Sequence, residues 1–288
     1  MALNYDVLRS RPAAKASQRY SRKDTILYAL GVGSGQVAGS DSRELKFVYE
    51  RDLAVLPTMA AVLAAPRFWA SDPEASIDTK DVMHSAQTLV VHKPLAPEGT
   101  VTADTVISNI FDKGAGKSAV VQLTRKLWDG RGDLMAVVGT TMFIRGAGGF
   151  GGERGPPRDH DTAPDDRSAD ATFDLPIRPE QGLVYRLSGD DNPLHVDPIA
   201  AKAAGFDRPI LHGLCTYGFA GRAILHLFCG CEPRRLRRFD ARFTSPVYPG
   251  DTLRIEAWRR GPGEAVFRCL VPVRNVIAID NGYVEFTD

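Results

Sequence analysis

The chain has 288 residues, of which 43% are hydrophobic, a length and composition typical of a globular protein with one large domain or two ordinary ones. Its 36 basic and 35 acidic residues leave a net charge of +1, so no strong field favours a nucleic acid or an anionic membrane as partner. No apolar run reaches signal-peptide or membrane-span length, which argues against secretion and membrane insertion.

The four cysteines give no indication of disulfides or of a zinc site. Cys229 and Cys231 are separated by one residue, which is too short for the usual zinc spacing, and no second pair accompanies them. We therefore expect reduced thiols in a reducing compartment. Because the sequence ends without a peroxisomal tripeptide, the predicted location is the cytoplasm.

The first half of the chain begins with helical patterns and continues with strands. Ser21 and Asp24 resemble a capping box, which predicts a short helix over 22–30. A second short helix is predicted over 57–65, between Pro57 and Pro66. The pattern then becomes β-branched or alternating and predicts four antiparallel strands, over 88–91, 100–110, 118–128 and 135–144.

A segment rich in glycine and proline, 146–172, separates the two halves. It lacks the lysine and serine ending of a phosphate-binding loop and does not lie between a strand and a helix, so we interpret it as a flexible linker.

The second half repeats the order of the first. Pro179 opens a short helix, a longer helix follows over 213–228, and four strands are predicted over 236–247, 251–260, 264–274 and 276–286. Residues 27–30 align with 184–187, and 94–101 with 246–253, at nearly one offset, which indicates a duplication. A helix pair and a set of strands, given twice, predict an α+β fold in which a sheet curls around a central helix. Gly218 and Gly221, on the long helix, predict close packing of the sheet on that helix.

Three polar residues with catalytic potential lie within six positions. Asp190, Asn192 and His195 are interrupted by Pro193, and residues five apart do not share a helix face, so they belong to a turn that directs polar groups at one point. Gly213 begins the long helix, where unpaired N–H groups are available to an anion. In the aligned first half, Gly33 and Ala38 stand where Asp190 and His195 would be, which predicts one active site in the chain.

A metal site is the alternative interpretation of this segment. Asp190, His195, Asp197 and His212 offer suitable ligand types, but their spacing matches no zinc motif. We therefore predict no metal and no cofactor.

These residues give the sequence its resemblance to a known family. The segments that carry it are YRLSGDDNPLH (185–195), RPILHGLCTYG (208–218), ARFTSPVYPG (241–250), LYALGVG (27–33), DKGAGK (112–117) and GGFGG (148–152). The chain resembles the type 2, R-specific enoyl-CoA hydratases, which are MaoC-like double hot-dog proteins and include the hydratase part of peroxisomal multifunctional enzyme type 2. The resemblance implies an α+β double hot-dog, in which two antiparallel sheets each wrap around a central helix.

The resemblance also implies a division of labour. Residues 1–145 would form a degenerate N-terminal hot-dog that accommodates the acyl chain, 146–172 the linker, and 173–288 the catalytic hot-dog. Asp190 and His195 match the family's catalytic pair, Asn192 matches a third motif position and Gly213 matches the oxyanion position. His84, Lys113 and Phe243 match positions that bind CoA or the acyl group.

The implied reaction is hydration of trans-2-enoyl-CoA to (3R)-3-hydroxyacyl-CoA, a hydro-lyase activity of fatty acid metabolism. The implied partners are an acyl-CoA substrate and a second copy of the chain in a homodimer. A 3-hydroxyacyl-ACP dehydratase, a non-catalytic acyl-CoA-binding protein and a thioesterase stay open as alternatives, since one fold supports several activities.

Overall fold

The computed structural model describes residues 3–36, 42–156, 163–164 and 166–287. The first half contains helices α1 (Tyr5–Arg9), α2 (Arg22–Gly31) and α3 (Leu45–Val48), and strands β1 (Ala14–Tyr20), β2 (Val82–Val91), β3 (Gly99–Asp112), β4 (Ala119–Asp129) and β5 (Leu134–Ile144). In the described part of this half, the connecting 3-10 helices are Ser42–Glu44, Pro57–Ala61, Trp69–Ser71, Pro73–Ala75 and Thr79–Asp81.

The second half contains strands β6 (Ala171–Pro176), β7 (Leu236–Phe243), β8 (Thr252–Gly261), β9 (Glu264–Val271) and β10 (Val276–Phe286), and helices α4 (Gln181–Tyr185), α5 (Pro198–Ala203) and α6 (Gly213–Phe228). Its 3-10 helices are Arg186–Ser188, Pro193–His195, Pro233–Arg235 and Pro272–Arg274. No helix of the described residues is long and apolar enough to cross a membrane.

The two halves join into one antiparallel sheet of ten strands, in the order β1-β3-β4-β5-β2-β7-β10-β9-β8-β6. The five strands of the second half follow the order of the first five in reverse. Each strand of the first half therefore has its counterpart five strands later in the chain, so that β1 corresponds to β6 and β2 to β7. This symmetry supports the predicted duplication. The halves meet where β2 pairs with β7, from Ala86 opposite Arg242 to Val90 opposite Arg238. The architecture is the predicted double hot-dog, with its two sheets fused at their β2 and β7 edges.

The prediction of a second α-helix over 57–65 is wrong. The structure has a 3-10 helix at Pro57–Ala61, and Ala64 takes a left-handed φ of 47° that ends the turn. Among the described residues, only those of the second half therefore form a long central helix. Strands β1 and β6 were not predicted, because neither the lysine- and serine-containing run at 14–20 nor the short run at 171–176 shows a clear alternating pattern.

The start of the predicted linker is anchored to the first half. The Asp112 carboxylate, at the end of β3, accepts hydrogen bonds from the backbone N–H groups of Gly114, Gly149 and Gly151 at 2.7–2.8 Å. These hydrogen bonds hold the 148–152 loop against the turn between β3 and β4. At its other end, β6 begins at Ala171, inside the predicted linker. Residues 157–162 and 165 lie outside the described part of the chain.

Helix α6 packs through its glycines against elements of the first half. A Cβ on Gly218 would lie 2.3 Å from Cγ1 of Val32, the residue that ends α2, and a Cβ on Gly221 would lie 2.5 Å from Cγ2 of Thr58. The prediction that these glycines admit the sheet holds only in part, since a Cβ on Gly221 would lie 3.4 Å from Cε1 of Phe239 on β7. Their closest neighbours are the end of α2 and the 3-10 helix at Pro57–Ala61, so they hold the two halves together.

Gly218→Ala is expected to lower the free energy of unfolding by about 1–3 kcal/mol, because the added methyl group overlaps the buried Val32 side chain. Alanine's better helix propensity, about 1 kcal/mol, works in the opposite direction. Urea unfolding measures the difference. Gly261→Ala is the matched control, since a Cβ there meets no atom within 4 Å. A Gly218→Ala protein as stable as this control would contradict the packing argument.

Candidate active site

The loop after α4 presents Asp190 and His195 beside the start of α6. Gly189 turns the chain with a φ of 114°, and Oδ1 of Asp190 accepts a hydrogen bond from the Asn192 N–H at 3.2 Å. The Asn192 side chain in turn accepts from the Leu194 N–H at 3.1 Å and caps the 3-10 helix at Pro193–His195. The observed contacts of Asn192 thus shape the turn that carries His195.

One ring nitrogen of His195 is used structurally and the other is left for chemistry. Nδ1 donates a hydrogen bond to the Ile210 carbonyl at 2.9 Å, which fixes the tautomer and leaves Nε2 as an acceptor. A carboxylate oxygen of Asp190, a ring nitrogen of His195 and a ring nitrogen of His212 all lie within 4.8 Å of one another. The predicted pair is therefore brought together in space, and a third residue joins it.

His212 contacts both residues of the pair. It is completely buried, its ring stacks on that of His195 with centroids 3.9 Å apart, and its Nε2 donates to the backbone carbonyl of Asp190 at 3.2 Å. The Tyr185 ring also contacts the His212 ring, with centroids 4.9 Å apart and a tilt of 53°. These contacts give His212 a structural role beside the catalytic pair. Its direct adjacency to Gly213 was the one signal that it borders the site.

Burial keeps the imidazoles of this site neutral. It lowers the pKa of His195, against the opposing effects of the Ile210 hydrogen bond and the Asp190 charge. Burial, followed by repulsion from His195, lowers the pKa of His212 to about 3. It also lowers the pKa of His84 to about 4, against hydrogen bonds to Ala86 and Gln87 and the Asp190 charge. A neutral imidazole at position 195 can accept a proton at neutral pH.

Gly213 lies at the first position of α6, where the backbone N–H has no intrahelical acceptor, and the preceding His212 side chain does not cap the helix. A Cβ on Gly213 would meet the Phe243 ring at 3.7 Å, an ordinary contact. Packing alone therefore does not require glycine here. The missing side chain leaves space in front of an N–H at the positive end of a helix of 16 residues.

Of the three predicted binding residues, Phe243 faces Gly213 and His84 contacts Phe243. His84, at the start of β2, meets Phe243, at the end of β7, edge to face with ring centroids 5.0 Å apart. Their contact crosses the junction between the halves. Lys113 lies elsewhere, beyond the end of β3, which is separated from β2 by β4 and β5. Its ammonium donates to the Arg154 carbonyl and lies 5.6 Å from the centre of the Phe111 ring.

The geometry disfavours a metal at Asp190, His195 and His212. A metal lies in the plane of each imidazole that binds it, about 2.0–2.1 Å from the nitrogen. The two rings are stacked with an angle of 29° between them, so their planes do not meet that close to both nitrogens. Asp197, the fourth residue considered, caps α5 through a hydrogen bond from the Ile199 N–H at 2.8 Å.

Comparisons with known proteins assign both halves. Residues 18–146 match the model of the MFE-2 hydratase 2 N-terminal domain, and residues 161–281 match the MaoC-like domain. Together these two models account for nearly all of the chain.

Whole-chain relatives agree. The chain is 42% identical to 3-hydroxyacyl-thioester dehydratase Y of Mycobacterium tuberculosis, over 93% of each chain. It is 36% identical to the peroxisomal enoyl-CoA hydratase 2 of Arabidopsis thaliana, over 98% of this chain and 95% of the relative. A crystal structure of a MaoC-like dehydratase from Phytophthora capsici superposes with a TM-score of 0.87 at 30% identity, over 98% of this chain and 97% of the other. The chain therefore belongs to the MaoC-like enoyl-CoA hydratase 2 family of double hot-dog proteins.

Proposed function

We propose that the chain is a hydro-lyase that adds water reversibly to the 2,3 double bond of a trans-2-enoyl-CoA and gives a (3R)-3-hydroxyacyl-CoA. The observation that carries the proposal is the meeting of an Asp190 carboxylate and a neutral His195 with His212, the residue that directly precedes the uncapped N–H of Gly213 at the start of α6. Family membership points to the same reaction, since the Arabidopsis relative is named for it.

In this mechanism Asp190 and His195 act as one unit. They hold a water molecule between them, accept its proton as the oxygen bonds to C3, and return a proton to C2, so the enzyme ends in its starting protonation state. Because a close carboxylate and imidazole titrate together, the two proton transfers are assigned to the pair. Asn192 shapes the turn that aligns them.

The backbone N–H of Gly213 donates a hydrogen bond to the thioester oxygen. Negative charge develops on this oxygen as water adds to C3, and a fixed N–H at a helix start stabilises it at no cost in reorganisation. A single such donor contributes roughly 10²- to 10³-fold in rate. His84 and Phe243 form the wall beside the reacting carbons, and Lys113 binds the CoA moiety. Because CoA is an extended ligand, a lysine distant from His195 is compatible with this role.

The remaining features of the proposal follow from the site. The reaction needs no cofactor besides the CoA thioester substrate, and the stacked imidazoles favour proton transfer over metal binding. Residues up to 145 accommodate the acyl chain, those from 173 onward carry the chemistry, and 146–172 link them. The proposed assembly is a homodimer in the cytoplasm, to be checked by light scattering and by fractionation, although the Arabidopsis relative is named peroxisomal.

Purified protein incubated with crotonyl-CoA is expected to give 3-hydroxybutyryl-CoA of R configuration, because one face of the double bond must meet the water held by Asp190 and His195. Chiral chromatography of the product measures this. An S product, or the absence of turnover with bound acyl-CoA, would reject the proposal, and release of free CoA would indicate a thioesterase.

One alternative has an observation in its favour. The Mycobacterium relative is named for dehydration of a 3-hydroxyacyl thioester, which is the reverse reaction and leaves the carrier unspecified. The same acid-base pair would act on an acyl carrier protein thioester. Comparison of initial rates with CoA and acyl carrier protein thioesters of one acyl group separates the two.

A further inference from the structure

Arg125 is a buried cation that the proposed mechanism does not use. It lies on β4, is only 8% exposed, and directs Nη2 at the carbonyls of Ala60 and Ala61, at the end of the 3-10 helix. Its Nε is buried without a hydrogen-bond partner, and burial alone lowers the pKa of the guanidinium to about 10. Within the described residues no carboxylate pairs with it. An uncompensated buried charge is unfavourable, so its presence calls for an explanation.

A second unsatisfied polar group lies beside it. Thr105 is the partner of Arg125 in the pairing of β3 with β4, so both side chains face the interior of the first half. The Thr105 hydroxyl is buried and has no hydrogen-bond partner. Two neighbouring unsatisfied groups on one face of a sheet form a polar subsite whose nearest inward-facing neighbours on β3 and β4 are apolar.

A row of half-buried residues connects this subsite to the active site. The row, called here the inner-face row, crosses the first-half sheet at His84 and Met142, then Thr140, Leu123 and Ile107. On one side of the row, inward-facing Val138 is buried in the first apolar cluster. On the other side Val121 and Ile144 are buried in a second cluster, against which Met142, Leu123 and Ile107 pack, while Val82 and Ile110 are half-buried. The inward-facing surface that packing leaves partly exposed along this row is called here the groove. Arg125 and Thr105 are the next inward-facing residues after Leu123 and Ile107, at the border of this groove.

We propose that Arg125 and Thr105 bind a carboxylate at the far end of the acyl chain, so that the preferred substrates are enoyl-CoA thioesters with a terminal carboxylate. This inference rests on the proposed function. The free Nε–H and the Thr105 hydroxyl are the donors, and the guanidinium charge selects an anion over a neutral oxygen. Met142, Leu123 and Ile107 supply an apolar path along the groove between the two ends.

The position of Arg125 sets the length of the preferred chain. His84 is opposite Met142 on β5, which is opposite Val121 on β4, and Arg125 lies four residues beyond Val121. Two strand spacings and four residues along the strand put the Cα atoms of His84 and Arg125 roughly 16 Å apart. An extended acyl chain with C–C bonds of about 1.5 Å needs roughly a dozen carbons to span this distance. Short enoyl groups do not reach the subsite.

The test compares trans-2-dodecenoyl-CoA with its analogue that carries a terminal carboxylate, and reports the ratio of their kcat/KM values. A charge-assisted hydrogen bond predicts a wild-type ratio of about ten or more in favour of the carboxylate. Arg125→Gln is expected to abolish this preference, and Thr105→Val, which keeps the shape of the side chain, to reduce it severalfold through KM. Thr124→Val, on the opposite face of β4, is the matched control and should keep the wild-type ratio.

Because the readout is a ratio, a general loss of stability or rate does not imitate the effect. Three results would overturn the inference: a wild-type ratio near one, an equal preference for a terminal hydroxyl or ketone, or an equal loss of the ratio in Thr105→Val and Thr124→Val. Each of these leaves the proposed function intact as long as crotonyl-CoA is hydrated. If no enoyl-CoA is hydrated, the proposed function fails. Calorimetric binding of dodecanoyl-CoA with and without the terminal carboxylate then decides the subsite alone.

Discussion

Asp190→Asn and His195→Gln are each expected to lower kcat for crotonyl-CoA hydration about 10³-fold, because each removes one member of the acid-base pair. Asparagine keeps an oxygen that can accept the Asn192 N–H, so the turn is preserved while the carboxylate is lost. Glutamine at 195 removes the ring nitrogen that accepts a proton. Steady-state kinetics on protein of wild-type circular dichroism and melting temperature measures the loss.

The same turn provides the control. Asp191 is exposed and adjacent to Asp190, and it does not belong to the group that meets His195. Asp191→Asn therefore makes the same chemical change one residue away and should stay within about threefold of wild-type kcat, as is usual for a surface carboxylate outside the site. A kcat of Asp190→Asn comparable to that of Asp191→Asn would contradict the assignment of the catalytic pair.

Local patterns in the sequence predicted the elements whose causes are local. The capping box of Ser21 and Asp24 is present as predicted, with α2 running from Arg22 to Gly31, and α6 has the predicted bounds. Asp190 and His195 lie within one turn, so their spacing along the chain already implied their proximity. These features depend on residues a few positions apart, for which periodicity and capping rules apply.

Features that depend on distant residues were beyond such rules. The fusion of the sheets places Leu89 opposite Phe239, and the sequence of neither strand predicts that the two strands pair. The 3-10 helix in place of a helix at 57–65 reflects its packing between α6 and β4, where Arg125 binds its last carbonyls. The contact of His84 with Phe243 follows from the fused sheet, and before the structure only the family resemblance connected these two residues with one binding site.

A buried ion cluster is the clearest of these distant features. Oε1 of Glu44 accepts hydrogen bonds from Nε of Arg222 at 2.5 Å and from Nε2 of His226 at 2.6 Å, while Oε2 accepts from the Gly35 N–H at 3.3 Å. Arg222 also donates to the Val32 carbonyl at 3.1 Å. The cluster ties α6, the catalytic helix, to the segment that joins α2 to α3.

Glu44→Gln is expected to lower the free energy of unfolding by about 3–5 kcal/mol, because it leaves the buried charges of Arg222 and His226 without their carboxylate. The side chains of Glu44 and Arg222 are only 2% and 1% exposed, so water does not replace the lost charge. Urea unfolding at pH 7 measures the change. Glu232→Gln is the control, since Glu232 pairs with Lys46 at the surface and its loss should cost less than about 1 kcal/mol.

The cluster also gives stability a pH dependence of known sign. Burial opposes protonation of His226, but hydrogen bonds to Cys231 and Glu44 outweigh it and raise the pKa of His226 to about 9. A group whose pKa is raised in the folded state binds its proton more tightly there, so its contribution is complete below the unfolded value of about 6.5 and disappears as pH rises through about 9. Wild-type stability should fall across this interval, and Glu44→Gln should reduce the fall because one of the two groups that hold the proton is gone. Equal slopes in the two proteins, or a Glu44→Gln cost no greater than that of Glu232→Gln, would contradict a charged His226 in the cluster.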